Sequence, residues 1–228
     1  MEQEKIFARL LPIITRYYRE QGSGPFVEYF DPDELDERLQ LDNGGGRQDW
    51  DELFAWVEQY LRHAVKTGHP GYVNRMWADA NLPSVIGEMI TAITNTSACT
   101  YETAPVSTLL EKYLLRTMLE LAGFENGSAQ MTTGSSNANM IAMMAARNTR
   151  DAAIKRSGLS GRPQLYGFVN ADAHYSMDRA ANILGIGTEH LIKVEVDDHG
   201  RMTGAALEEA IEAVRAAGGE VFFVAATA

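Results

Sequence analysis

Three short apolar runs dominate the last third of the chain: QLYGFVN at 164–170, LIKVEV at 191–196 and VFFVAATA at 221–228. Runs of this length, rich in Val, Ile, Leu and Phe, read as strands buried on both faces. The segments between them space their apolar residues as helices do. Residues 176–184 and 205–217 read as helices, the second capped by Thr203, and Asp198-His199-Gly200 reads as a turn. Parallel strands need a crossover between them, and crossover helices cover the sheet they connect. The pattern predicts α/β architecture: a mostly parallel sheet with helices on both faces.

A second feature lies just upstream. In MTTGSSNANMIAMMAAR, residues 131–147, Thr132, Thr133 and Gly134 read as a strand end and tight turn, and Ser135, Ser136 and Asn137 as a first helical turn. Gly134 has no Cβ, so it is free to take φ > 0 or to let the backbone approach a ligand closely. A helix start offers unpaired N–H groups and the positive end of the helix dipole, which suits a phosphate. An ordinary N-cap has the same composition, and on these residues alone the two readings stand even. The spaced glycines of a dinucleotide site, G-x-G-x-x-G, are absent. Met140, Ile141, Met143, Met144 and the alanines at 138, 142, 145 and 146 leave the helix apolar on nearly all sides. That predicts a buried helix whose start opens into a protected place, better suited to a cofactor than to a solvated ion.

The N-terminal part reads as helices. Ile6, Leu10, Ile13, Ile14 and Tyr17 recur at helical spacing, with Pro12 expected to kink the helix. Asp31-Pro32 starts a second helix, and Asp49 with Glu52 forms a capping-box pattern before a third. NGGGR at 43–47 reads as a flexible loop or hinge. Residues 83–95 and 105–122 read as further helices, the latter with Leu109, Leu110, Tyr113, Leu114, Met118 and Leu121 facing inward.

Composition removes several function classes. The chain has 31 acidic against 20 basic residues, a net charge of −11, and so no basic stripe for nucleic acid or an anionic membrane. No apolar run approaches a membrane span, and the N-terminal segment does not read as a signal peptide. Cys99 is the only cysteine, which excludes a disulfide framework and is compatible with a reducing cytoplasm. His63, His69, His174, His190 and His199 show no metal-ligand spacing, so no metal is expected.

NTSACTYETAPV (95–106), TTGSSNAN (132–139) and NADAHYSMDRAANILGIG (170–187) occur in this order. Together they resemble the group II pyridoxal-phosphate amino-acid decarboxylases, which act on glutamate, cysteine sulfinate, aspartate or aromatic amino acids. GHPGYVNRMW (68–77) is similar to the family's approach to the active site, and EVFFVAATA (220–228) to its strand before a Gly-Thr-Thr turn. The resemblance covers roughly Gly68 to Ala228. It implies the large domain of a fold-type I pyridoxal-phosphate-dependent transferase. Residues 68–228 would be the first part of the cofactor-binding domain, while the short helices of residues 1–67, which do not close a core on themselves, read as an N-terminal arm used in dimerisation or as a helical layer of the same chain.

The resemblance also implies roles. Gly134, Ser135 and Ser136 would hold the phosphate of pyridoxal 5'-phosphate, and His174 would stack on its pyridine ring. The position of His174 agrees, because it lies just past the 164–170 strand and open α/β sheets bind ligands beyond the carboxyl ends of their strands. Alone, it would read as a surface loop histidine. Asn95, Thr96 and Ser97 resemble the cysteine-sulfinate branch, so Asn95 and Ser97 are expected at the substrate. Cys99 departs from the aromatic residue usual there, and Arg75 from a usual Gln. Arg75 is as readily a surface charge as a bidentate partner for a substrate carboxylate.

The activity implied is release of CO₂ and an amine from a small, acidic amino acid by a cytoplasmic homodimer with its active site near the subunit interface. Lys5, Lys66, Lys112, Lys155 and Lys193 do not match the context of the lysine that carries the cofactor in this family. That lysine and the carboxylate partner of the ring nitrogen are expected beyond residue 228, and the 228-residue chain alone is expected to be inactive. The competing readings are another fold-type I enzyme, an aminotransferase or carbon–carbon lyase, and a non-catalytic fragment that only dimerises.

Overall fold

The computed structural model describes residues 2–40 and 49–227. The expected hinge at 43–47 lies outside the described residues. The chain divides into two compact units, Met1–Ala104 and Pro105–Ala228. The arm expected from the sequence ends at 67, whereas the first compact unit runs on to 104.

The first unit is helical. α1 (Glu2–Arg19) runs on past Pro12, and α2 (Pro32–Leu39) starts after Asp31 with its proline in the first turn. α3 (Trp50–His63) is capped as expected, the Asp49 carboxylate accepting from the N–H groups of Asp51 and Glu52. α1 and α3 are in contact, each burying one apolar side chain, Ile13 and Phe54, and the Arg9 guanidinium of α1 lies 4.5 Å above the Phe54 ring of α3. Arg9–Asp51 and Arg16–Glu58 ion pairs flank this contact. Both pairs are solvated and each is worth about 1 kcal/mol or less, so the apolar contact dominates. α4 (Leu82–Thr94) is capped by the Asn81 side chain and ends on Asn95, whose φ of 47° and ψ of 40° are left-handed.

The second unit carries the sheet. Its helices α5 (Pro105–Leu121), α6 (Ser135–Arg150) and the single turn α7 (Ile154–Ser157) precede β1 (Leu165–Asn170). Then come α8 (Ser176–Ile183), a 3₁₀ turn (Thr188–His190), β2 (Leu191–Val194), α9 (Gly204–Ala216) and β3 (Glu220–Ala225). The sheet order is β2-β1-β3 and both pairings are parallel, as the strand–helix alternation predicts. The pleat of β1 sends Leu165 and Val169 into a core with Met143 of α6 and Met177, Ala180 and Ala181 of α8. Phe168 points the other way and packs with Val194 and with Val214 of α9. One face of the sheet is therefore covered by α6 and α8, the other by α9. Thr203 caps α9 as expected, accepting from the Ala206 N–H.

Three expectations fail here. Residues 128–132 form no strand before Gly134, because no ladder partner meets them among the described residues. The apolar face of α5 is not inward: Leu109, Leu110, Tyr113, Leu114 and Met118 are roughly half exposed and Leu121 is 84% exposed, since nothing in the unit packs over them. α6 is buried on one side only, with Met143 fully enclosed against α8 and the sheet while Ala142, Met144 and Ala145 face outward.

Candidate functional site

The turn into α6 is built around one glycine. Gly134 has φ of 128° and ψ of 161°, a region that essentially only glycine occupies. Its carbonyl accepts from the N–H groups of Asn137 and Ala138 and from the Thr132 hydroxyl. The Asn137 amide donates to the Thr133 hydroxyl at 3.0 Å, which ties the first helical turn to the residues before it. Gly134 occupies the cap position without a side chain, so no carboxylate or hydroxyl competes for the helix start. Ser135 and Ser136 follow, both exposed. The protected opening expected from the sequence is therefore not supplied by this unit, because the outer side of α6 is uncovered. The donor set is two hydroxyls and the first N–H groups of a four-turn helix, with no acidic side chain in its first turn. Such a set fits a phosphate dianion.

His174 sits beyond the carboxyl end of β1, on a loop held by Asn170. That side chain is buried, accepts from the Asp172 N–H at 2.7 Å and donates to the Gly200 carbonyl at 3.2 Å. The Asn170 carbonyl accepts from the Ala173 N–H. The loop is thus pinned to the strand end and to the turn at Gly200. His174 is exposed, with its ring 4.2 Å from the ring of Tyr175. Its Nδ1 accepts from the Ser176 N–H at 3.2 Å and lies 2.9 Å from Ser176 Oγ. The Asn139 amide of α6 donates to the same Oγ at 2.9 Å. A side-chain chain therefore joins the helix that begins at the Gly134 turn to the loop that carries His174.

The remaining predicted residues lie in the first unit. Arg75 occupies an exposed bend. Asn95 is the C-cap of α4, and its tolerance of the left-handed region accounts for an Asn there on local grounds. The Ser97 carbonyl accepts from the Thr103 hydroxyl at 2.7 Å, and Cys99 is an exposed free thiol on the same loop. Glu102, also exposed on this loop, has its carboxyl held below the usual value by its own backbone N–H and then by the Thr100 hydroxyl. A depressed folded value means that the contribution is present above the unfolded value and is lost as pH falls through the folded one. The Glu102 side-chain carboxyl resonance should titrate below the ordinary glutamate range, and Thr100→Val should move its midpoint upward. An unmoved midpoint would show that Thr100 does not hold it.

Asn139, Asn170 and Ser176 were not picked out from the sequence as site residues. The available signal was the Asn139 amide, one turn beyond Ser135 at the head of an apolar run, and a serine two residues after the candidate histidine.

Among the described residues no group of His, Cys, Asp and Glu is arranged to hold a metal ion. No described helix is long and apolar enough to cross a membrane.

The pyridoxal-dependent decarboxylase conserved domain matches residues 32–228. The chain is 36% identical over 200 residues to an acidic amino acid decarboxylase of Bos taurus, a match covering 88% of this chain and 38% of that protein. It is 34% identical over 206 residues to a cysteine sulfinic acid decarboxylase of Mus musculus, covering 90% of this chain and 42% of the relative. The crystal structure of mouse CSAD superposes with a TM-score of 0.94 at 31% identity, over 99% of this chain and 48% of that one. The chain thus spans about two fifths of the length of these curated relatives. The fold is correspondingly part of the fold-type I pyridoxal-phosphate architecture, as the sequence motifs implied.

Proposed function

This chain belongs to the pyridoxal-dependent decarboxylase family, and from that premise we propose that it takes part in decarboxylating a small acidic L-amino acid: glutamate, aspartate or cysteine sulfinate. The observation that carries the reading is the Gly134 turn, a cap-free helix start joined through Asn139 and Ser176 to His174. When bound, pyridoxal 5'-phosphate supplies the electron sink that lets an amino acid lose its carboxylate as CO₂. Ser135 and Ser136 would hold its phosphate through their hydroxyls and the N–H groups of the helix start. His174 would lie against the pyridine ring, and the Asn170-pinned loop would keep the imidazole in place.

Arg75, Asn95, Ser97 and Cys99 are proposed to contact the substrate. Arg75 is suited to the distal acid because a guanidinium meets a carboxylate or sulfinate through two parallel hydrogen bonds. Losing such a charge-assisted contact costs about 1.5–3 kcal/mol, so Arg75→Gln should raise KM for acidic substrates roughly ten- to a hundredfold. A panel of glutamate, aspartate, cysteine sulfinate and dihydroxyphenylalanine tests the substrate class on the holoenzyme. The acidic substrates should turn over fastest, and fastest turnover of the aromatic one would overturn the assignment.

A homodimer and a cytoplasmic location complete the proposal. The uncovered faces of α5 (Leu109, Leu110, Tyr113, Leu114, Met118) and α4 (Ile86, Met89, Ile90, Ile93) support association, since apolar surface on this scale seldom stays in water. The free Cys99 suits a reducing compartment. Replacing Leu110 and Leu114 together with glutamate should reduce the mass measured by light scattering to that of one chain. An unchanged dimer mass would remove α5 from the interface.

A further inference from the structure

The direction of every hydrogen bond between α6 and the His174 loop is set by one backbone group. The Ser176 N–H can only donate, and it points at His174 Nδ1 from 3.2 Å. Nδ1 must therefore accept, and the neutral ring carries its proton on Nε2. Ser176 Oγ, 2.9 Å from that accepting nitrogen, has to donate its own proton to it. Asn139 then faces a hydroxyl whose proton is already committed, so it presents Nδ2–H and not its carbonyl oxygen. Ser176 is almost fully buried, which keeps water from offering a competing arrangement.

We propose that Asn139 and Ser176 are positioning residues that hold the ring orientation of His174, in the tautomer set by the Ser176 N–H, from the phosphate-binding helix. Asn139 lies four residues after Ser135, about 6 Å along the helix axis, so one hydrogen-bonded chain joins the helix assigned to the phosphate to the loop residue assigned to the pyridine ring. The polarity also leaves Nε2–H as the one ring proton donor outside the network. This inference rests on the proposed stacking of His174 on the cofactor, and the experiment below separates the two.

The test is the ¹⁵N spectrum of the His174 ring in the full chain, recorded first without cofactor. In the wild type, Nδ1 should resonate as an unprotonated, accepting nitrogen and Nε2 as a protonated one. Asn139→Asp is nearly isosteric but can only accept. It should draw the Ser176 proton away from Nδ1, leave only the backbone N–H there, and move the Nδ1 resonance further from the protonated position. Ser176→Ala should move the Nδ1 resonance in the same direction, and Ser176→Thr, which keeps the hydroxyl, should restore the wild-type pattern. Amide spectra report that each variant stays folded. In the holoenzyme, Asn139→Leu, which adds no charge beside the anion site, should lower kcat about tenfold while the affinity for inorganic phosphate, measured by competition against pyridoxal phosphate, changes less than twofold.

Unchanged Nδ1 and Nε2 resonances in both Asn139→Asp and Ser176→Ala would overturn the proposal. Adding pyridoxal phosphate should shift the His174 Hε1 proton by ring current. A missing shift alongside responsive ring-nitrogen resonances would refute the stacking and support the positioning chain. A clear shift alongside unresponsive ring-nitrogen resonances would do the reverse.

Discussion

Replacing Gly134 with valine is expected to weaken the binding of pyridoxal phosphate by tenfold or more. The reason is the backbone, not crowding: a Cβ at this position would meet nothing within 4 Å. With φ at 128° and ψ at 161°, however, the residue occupies a region that costs a residue with a side chain about 1–3 kcal/mol. A β-branched side chain is among the least tolerant of positive φ. The chain can relieve that strain only by rotating the peptide that feeds α6. The Gly134 carbonyl accepts from Asn137 and Ala138, so rotating it disturbs the first turn and re-aims the N–H groups of Ser135 and Ser136. The loss therefore falls on the anion site, and each 1.4 kcal/mol is a factor of ten in affinity. An equilibrium titration of the cofactor, monitored by its absorbance, measures it. Ser135→Ala and Ser136→Ala provide a scale, because each removes one hydroxyl without altering the turn. Unchanged cofactor affinity in Gly134→Val would remove this turn from the site.

The same turn shows what the sequence could and could not convey. Its glycine, its serines and the helix behind them were legible, since cap chemistry and helical spacing are local properties. The parallel sheet was legible for a similar reason: strands 164–170, 191–196 and 221–228 are each bounded by turn residues, and only a crossover can join them in parallel. Burial was not. Leu109, Leu110, Tyr113 and Leu114 have the spacing of a core-facing stripe and were expected inside, yet they are roughly half exposed. Spacing reports that a face is apolar and says nothing of what will cover it. The expected strand before Gly134 failed likewise, because a strand exists only where a ladder partner is present. Asn139 and Ser176 escaped notice because their role depends on α6 and α8 lying side by side, 37 residues apart in sequence. Asn95 shows the opposite case, where a residue assigned to substrate by resemblance also has a sufficient local reason, the left-handed end of α4.

Replacing His174 with alanine is expected to lower kcat of the holoenzyme by about a hundredfold while leaving the fold intact. The side chain is exposed, so little apolar area is lost on truncation. Its structural contribution is the acceptor it offers to the buried Ser176 N–H and hydroxyl, whose loss costs about 1–3 kcal/mol. That is a fall of several degrees in Tm for a unit of this size, not an unfolded protein. The effect on catalysis should be larger than the effect on stability because the imidazole is proposed to hold the cofactor ring in one plane. Misplacing a reacting centre by about 1 Å costs about a hundredfold in rate. His174→Phe separates the two ways in which the ring can act. Phenylalanine keeps a flat face for stacking and loses both the accepting Nδ1 and the donating Nε2. If stacking is the main contribution, His174→Phe should recover most of the loss seen with alanine. If the Nε2 proton is needed as well, phenylalanine should bind the cofactor with wild-type affinity and remain slow. Near-normal decarboxylation by His174→Ala, with normal cofactor absorbance, would exclude both roles and return His174 to an ordinary loop residue.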